Sequence, residues 1–449
     1  MTLKSSRLER LFRSDVFTTF VVCTAVFTDT FVYDLMLEHR LNLPRRQLQM
    51  WTSVLLDVFG GAFAVGNVIA GFLTDCCQSK KTPFLFGMIL MLASSLMFFL
   101  GKHIATTIVA RALQGFSASF VWVSGLAFLN SQIQPDYIGT ALGYVSMAMG
   151  AGELIGPILG GAMYEHSGHF AVLSLICGIF GVDIFLRIAL VEKKSEVDQG
   201  TAPGQDNEER PLLNGGRRVS ISEPANPKCV TEIAYIRFFG FRLESDLCAS
   251  FYAACIIGTI RYAFESALVV FVSQRFSWST SASGGIMFAF CSPAILGPLI
   301  GQYTTKYGPR WFTVVAFGTT SICLAGLGFL TKADKVSKVI FVIVVTAIGT
   351  LISFLSTVQS IAFSVAAKKK EIRAIKEGRD ESCGIAFGGF SLAWTVGMFA
   401  GPLVAEVFVD HVNWLGFCLF LAGLSAASSV VMSFTWKEWD LSDEDEYES

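Results

Sequence analysis

Charge is what this chain has least of. Only 16% of its 449 residues are Asp, Glu, Lys or Arg, where soluble proteins carry about 25%. The formal net charge of -2 offers no basic face, so no nucleic-acid partner is expected. No C-x-x-C pair occurs, and no His lies at zinc spacing from any of the 11 Cys, so no metal site is expected. The cysteines sit mostly singly in apolar runs and read as small hydrophobes. Cys76 and Cys77 are adjacent in a short loop; plain loop residues are one reading and acylation sites the other. There is no Asn-x-Ser/Thr acceptor. No phosphate-binding loop and no nucleophile arrangement is present, so no cofactor is implied and an enzyme is the least favoured class.

What the chain has instead is apolar length. It is 53% hydrophobic with 40 Phe, and its mean hydropathy is +0.55. Twelve apolar segments reach the roughly 20 residues that a membrane helix needs. The first six run about 17–38, 52–74, 83–101, 104–130, 141–164 and 169–190. The second six run about 246–273, 282–303, 310–330, 338–365, 382–408 and 412–435. The N-terminal Lys4, Arg7, Arg10 and Arg13 precede the first run as in a signal peptide, but the run is long and no small-residue cleavage site follows; it is read as a retained span. The lipid bilayer is thus the first partner the sequence names.

Five regions result: a cytoplasmic N-terminus 1–16, a six-helix bundle 17–190, a linker 191–243, a second six-helix bundle 244–436 and an acidic tail 437–449. The linker mixes charges with Gln, Gly, Pro, Asn and Ser and has too little apolar surface to bury, so it reads as disordered. Within it Arg217-Arg218-Val219-Ser220 fits a basic-x-Ser kinase pattern, with plain solvated linker the favoured reading. Basic residues cluster before span 1, in loop 75–82, in the linker, at Lys306–Arg310 and at Lys368–Arg379. With an even span count all of these fall on one side, which the positive-inside rule makes the cytoplasm for both termini. Arg40, Arg45 and Arg46, and Lys332, Lys335 and Lys338, run against that rule.

The two bundles repeat. Gly152, Gly156 and Pro157 recur as Gly397, Gly401 and Pro402, and Gly139 and Gly143 recur as Gly384 and Gly388. Gly71-x-x-x-Asp75 recurs as Gly301-x-x-x-Thr305, without the acid. Paired glycines and a Pro are poor in a soluble helix but serve close packing and kinks in a membrane one. The first copy continues into Gly160-Gly161 where the second has Ala405-Glu406, so Gly156 is expected to matter more than Gly401. Six plus six spans in parallel repeat is an architecture for alternating access to a midplane site. The expected fold is an all-α polytopic membrane protein of twelve transmembrane helices in two pseudo-symmetric halves.

In these motifs the sequence resembles the major facilitator superfamily across essentially all spans. Gly71-x-x-x-Asp75 with Lys80 and Lys81 resembles its gating signature after span 2, with Gln78 where Gly is usual. Arg111-Ala-Leu-Gln114-Gly115 resembles its span-4 motif, and Gly152, Gly156, Pro157, Gly160 and Gly161 resemble its span-5 antiporter motif. Together they point to the twelve-span drug:proton antiporter branch. Asp29 in span 1 and Glu265 in span 7 are similar to acids of fungal relatives of the vesicular monoamine transporters. Phe59 and Ser391 stand where those transporters place Lys and Asp, and span 10 carries no acid, so a monoamine substrate is not implied. By resemblance, Arg111 is linked to proton coupling.

Charge at membrane depth is costly and marks pathways. Asp29 is therefore read as a proton or cation site, against the alternative of an interfacial acid; Asp34 reads as interfacial. Glu265, with Arg261 at i-4, is either a self-neutralising pair or a link remade as the halves rock. Asp57 and Glu153 are further buried-acid candidates, and Asp183 with Arg187 reads as a structural pair. Gln114 can bond across helices. Asp75 is expected to meet a helix N-terminus or a basic residue across the cytoplasmic gate and so to hold an outward-facing state. Trp122 and Trp394 are the aromatic cavity candidates among Trp51, Trp122, Trp394 and Trp414, while His103 and His411 read as surface residues.

These readings favour a secondary active transporter: a proton-coupled antiporter exporting a small amphipathic or aromatic organic compound. It is expected to work as a monomer, with protons as the coupling ion, in the plasma membrane rather than a vacuolar or vesicular one. Proton symport for nutrient uptake, and a non-transporting membrane sensor, are the alternatives.

Overall fold

In lipid the backbone finds no water to bond, so each apolar run must close its hydrogen bonds within a helix. The computed structural model describes residues 13–37, 45–77, 79–101, 103–190, 245–278, 280–332, 334–376, 383–411 and 413–435, and among these it contains no strand. The linker with Arg217–Ser220 and the acidic tail lie outside the described residues.

Among the described residues six helices precede the linker: α1 (Asp15–Leu37), α2 (Arg45–Cys76), α3 (Lys81–Leu100), α4 (Ile104–Gln132), α5 (135–167) and α6 (169–189). Six follow it: α7 (Ser245–Phe276), α8 (280–307), α9 (Pro309–Gly328), α10 (Lys335–Lys376), α11 (Gly384–His411) and α12 (Trp414–Thr435). Eleven described stretches are long and apolar enough to cross a membrane; α1, at 23 residues, supplies the remaining helix of the twelve. Two local features shape the set. α5 turns into α6 at Gly168, whose φ of 74° is a conformation that favours a residue without Cβ. α8 tightens to a 3-10 turn over Ser292–Leu296, between Pro293 and Pro298, because two missing N–H groups break the regular ladder there.

The halves are built alike. α1 packs on the α5–α6 pair as α7 packs on α11, and α2 packs on α4 as α8 packs on α10. Between halves, α2 lies along α11 and α5 along α8. Glycine makes both of these seams possible. A Cβ on Gly71 would strike the Gly384 carbonyl and Gly388, and one on Gly301 would strike the Gly139 carbonyl. Gly143 and Gly297 likewise face each other backbone to backbone. The repeated glycines thus close the two halves on each other crosswise, as small residues do in membrane helix pairs.

The Gly-Pro helices pack inside their own halves. A Cβ at Gly152 would meet Thr30 and the Phe27 carbonyl of α1, and Cβ atoms at Gly397 and Gly401 would meet the α7 backbone at Cys255, Thr259, Tyr262 and Ala263. The described packing therefore shows no looser fit at the second copy. Gly156 is buried, while the surroundings of Pro157, Gly160 and Gly161 lie outside the described side chains. Forcing a side chain into such a seam costs about 1–3 kcal/mol. Gly397→Leu should lower the melting temperature and the monodisperse yield in detergent. Gly326→Leu, where a Cβ meets nothing within 4 Å, should leave both unchanged; equal behaviour of the two would show that the α7–α11 seam is not tight.

Candidate functional site

A charge at the centre of a membrane helix costs about 2.5–3.5 kcal/mol even on the mildest scale, so the polar groups at depth must find partners. In the first half, Asp29 on α1 is 9% exposed, and its Oδ2 accepts the Trp122 indole N–H of α4 at 2.9 Å. Two of the sequence-derived site residues are thereby joined. Next to it, Thr28 donates its hydroxyl to Asp183 of α6. Asp183 makes no ion pair with Arg187 within 4 Å. The two remain electrostatic neighbours without a direct bond. Asp183 turns to α1, while the guanidinium of Arg187 lies over the Phe84 ring of α3 and none of its nitrogens has a hydrogen-bond acceptor.

Arg111 on α4 is 1% exposed. It donates to Gln114 Oε1 one turn on, at 3.3 Å, and lies over the Phe98 ring, 4.7 Å from its centroid. Gln114 passes the chain of bonds to Ser95 of α3 at 3.3 Å. Gly115 completes this motif sterically, because a Cβ there would run into the Phe59 carbonyl of α2. Asp57, expected to be buried, is exposed on α2: its place on the helix faces away from the packed side on which Leu55 and Phe59 are buried.

The second cluster joins the halves. Arg261 of α7 donates its Nε to Glu265 Oε1 at 3.0 Å and a terminal N–H to Glu153 Oε2 of α5. One guanidinium therefore holds a carboxylate from its own helix and one from the other half. Beside it lies a cavity lined by Ser146 and Glu153 of α5, Arg261, Phe290 of α8, and Ser353 and Ser356 of α10. Its volume of about 30 Å³ admits a couple of water molecules, not an organic substrate. Trp394 of α11 meets Tyr262 edge to face, 6.5 Å between centroids, one residue from Arg261. Trp414 instead stacks on Phe271 at 3.8 Å within the core of the second half.

A third set of contacts closes the bundle at the end that carries Asp75. The Gly384 N–H donates to Asp75 Oδ1 at 2.6 Å and the Ile385 N–H to Oδ2 at 2.9 Å. The carboxylate of one half thus caps the α11 N-terminus of the other, where the helix dipole favours an anion. Lys80 pairs with Glu371 of α10 at 3.6 Å. Lys81 instead serves its own half, donating to the Ile188 and Leu190 carbonyls at the end of α6. Two residues that the sequence reading passed over complete the closure. Lys368 of α10 donates to the Asn130 and Ile133 carbonyls at the α4 C-terminus, at 3.3 and 3.4 Å, and Ser364 donates to Asn130 Oδ1 at 2.6 Å. A cation thus sits at one helix's C-terminus and an anion at another's N-terminus, both across the seam between halves.

Asn67 of α2 was missed as well. It accepts from Ser391 at 3.0 Å and donates to Thr395 at 3.1 Å, both on α11. An Asn inside an apolar span is itself the signal, since it must be bonded across a helix seam. Ser391 is the position at which the resembling transporters place an acid; here it is part of a neutral link.

Comparison with known proteins agrees with this architecture. The family model described as Major Facilitator Superfamily matches residues 16–374. The Uncharacterized MFS-type transporter C18.02 of Schizosaccharomyces pombe is 25% identical over 428 residues, covering 92% of this chain and 94% of that protein. The vesicular acetylcholine transporter of Torpedo marmorata is 30% identical over 129 residues, 26% of this chain and 24% of its own length. Among solved structures, that of the human organic anion transporter MFSD10 (TETRAN) matches 93% of this chain and 99% of its own with a TM-score of 0.65 at 16% identity, a likeness of fold. With a family model spanning α1 to α10, paired six-helix halves and a multi-pass membrane architecture, the chain belongs to the Major Facilitator Superfamily of transporters.

Proposed function

We propose that the chain is a proton-coupled antiporter that exports a small amphipathic or aromatic organic compound by alternating access. Both termini lie in the cytoplasm, and the plasma membrane is its site. The observation that carries this reading is the shared guanidinium: Arg261 holds Glu265 of its own helix and Glu153 of the opposite half. Adding a proton to Glu265 leaves Arg261 to Glu153 and tightens the link between halves, while adding one to Glu153 loosens it, so proton occupancy and the relative position of the halves are tied together. Asp29, hydrogen-bonded to Trp122, is the second proton-loading carboxylate. Arg111 and Gln114 support the same half through a buried polar chain.

The substrate path runs between the halves beside the cavity of Glu153 and Arg261. That cavity is water-sized in this closed arrangement, so substrate entry requires the contacts at the Asp75 end to break. Asp75, Lys80, Lys368 and Ser364 form the cytoplasmic gate. The aromatic neighbours Trp122, Trp394 and Tyr262 favour an apolar or aromatic substrate surface.

Two measurements test the proposal. In proteoliposomes with an imposed pH gradient, Asp29→Asn should abolish gradient-driven flux while the protein stays folded and inserted. Wild-type flux in that variant would remove Asp29 from the coupling path. Asp75→Asn retains the size of the side chain but loses its charge and one acceptor, which at a helix N-terminus is worth about 1–2 kcal/mol. Labelling by a membrane-impermeant reagent from the cytoplasmic side should then rise roughly 5- to 30-fold at a cysteine placed in the α5–α10 cavity. Unchanged labelling would show that the cap does not control that gate.

A further inference from the structure

The turn between α8 and α9 keeps the cations of its counterpart between α2 and α3 but not their partners. In the first half the loop's charges are satisfied within the protein: Asp75 caps α11, Lys80 pairs with Glu371 and Lys81 binds the end of α6. In the second half Thr305 replaces the acid, and its hydroxyl bonds to the Gly301 carbonyl of its own helix. No Asp or Glu occurs anywhere between Glu265 and Asp334. Lys306 is exposed and makes no ion pair among the described residues. It lies instead over the Tyr307 ring, 5.3 Å from the centroid, as Arg310 lies over Trp311 at 5.7 Å.

The surroundings of these two cations are lipid-facing. Ile295, Leu299, Tyr303 and Tyr307 recur every four residues on α8 and are 68%, 56%, 58% and 63% exposed. Tyr303 and Tyr307 stack at 6.4 Å with their rings nearly parallel. On α9, Trp311 is 67% exposed and begins a second exposed stripe with Val315 and Ile322. Both stripes pass from aliphatic to aromatic residues and end at a cation. That order matches the order of a bilayer leaflet: acyl chain, carbonyl level, headgroup. Arg310 is held in place by one bond to the Ser433 carbonyl at 2.9 Å, and its Nε has no acceptor.

We propose that the α8–α9 turn binds the headgroup of an anionic phospholipid. The phosphate lies against Lys306 and Arg310, the tyrosines and Trp311 flank the glycerol region, and the acyl chains run along Ile295 and Leu299. The basic residues of the α2–α3 loop are already occupied by protein groups, so this site is a property of the second half alone. Two cations with no counter-charge among the described residues favour an anionic headgroup over a zwitterionic one by about fivefold each, the factor that ~1 kcal/mol per basic residue at a membrane surface corresponds to.

The full-length protein, reconstituted into an equimolar mixture of phosphatidylinositol and phosphatidylcholine and analysed by native mass spectrometry, tests this. The wild type should retain phosphatidylinositol preferentially. Lys306→Gln should cut that preference about fivefold, and the double variant Lys306→Gln, Arg310→Gln should abolish it. Lys335→Gln, at the opposite end of the bundle, should leave it unchanged. Because Arg310 also holds α12, the single Lys306→Gln variant is the decisive one. An unchanged preference in Lys306→Gln, or an equal loss in Lys335→Gln, would overturn the site. Displacement of the bound lipid by millimolar inorganic phosphate would overturn the lipid assignment in favour of a soluble anion.

Discussion

A guanidinium inside a membrane bundle needs counter-charge, and Arg261 takes it from two helices in two different halves of the protein. Breaking such a buried pair by removing one partner is far more costly than the pair is worth when intact. Separating α5 from α7 would therefore strip Arg261 of the Glu153 carboxylate unless an anion or water took its place. This requirement turns an ordinary packing contact into a condition on movement. Other polar groups at depth are bonded as well, Asp29 to Trp122, Asp183 to Thr28 and Arg111 to Gln114, whereas the Arg187 guanidinium lies on the Phe84 ring without an acceptor.

The glycines set how close the helices come, and the charges set when they part. Gly71 on α2 meets Gly384 and Gly388 on α11, and Gly301 on α8 meets Gly139 on α5, so the repeat closes on itself crosswise. The chemistry on these matched seams is not matched. Asp75 caps α11 with a carboxylate, whereas Thr305 offers only a hydroxyl that is turned to its own helix. One seam thus carries a charged cap across the halves, and the other is close packing without one. The same loss of acid leaves Lys306 exposed at its turn.

The fold was legible because apolar run length and glycine spacing are local properties. The twelve segments, the Gly-Pro repeats and the Gly71–Asp75 motif all lie within windows of a few turns. What stayed hidden depends on distance between chain-remote atoms. Glu265 and Arg261 are neighbours on one helix, but Glu153 joins them from 108 residues away. Asp183 and Arg187 interact as their spacing implies, but the Asp183 carboxylate takes its hydrogen bond from Thr28, 155 residues distant. Asp57 looked buried from its place in an apolar run, yet the helix face it occupies points outward. Asn67 and Asn130 were visible as polar residues in apolar surroundings but drew no attention, because an uncharged amide gives no electrostatic signal in the sequence.

In the proposed antiport mechanism, the bridge through Arg261 is the element on which coupling and alternating access both rest. Its most direct test is the distance between spin labels on α5 and α7, in a cysteine-free background in nanodiscs, compared between the wild type and Glu153→Gln. Removing the Glu153 charge takes away the carboxylate that ties Arg261 to the opposite half, so the distance distribution should lengthen in Glu153→Gln. A wild-type distribution in Glu153→Gln would contradict the account.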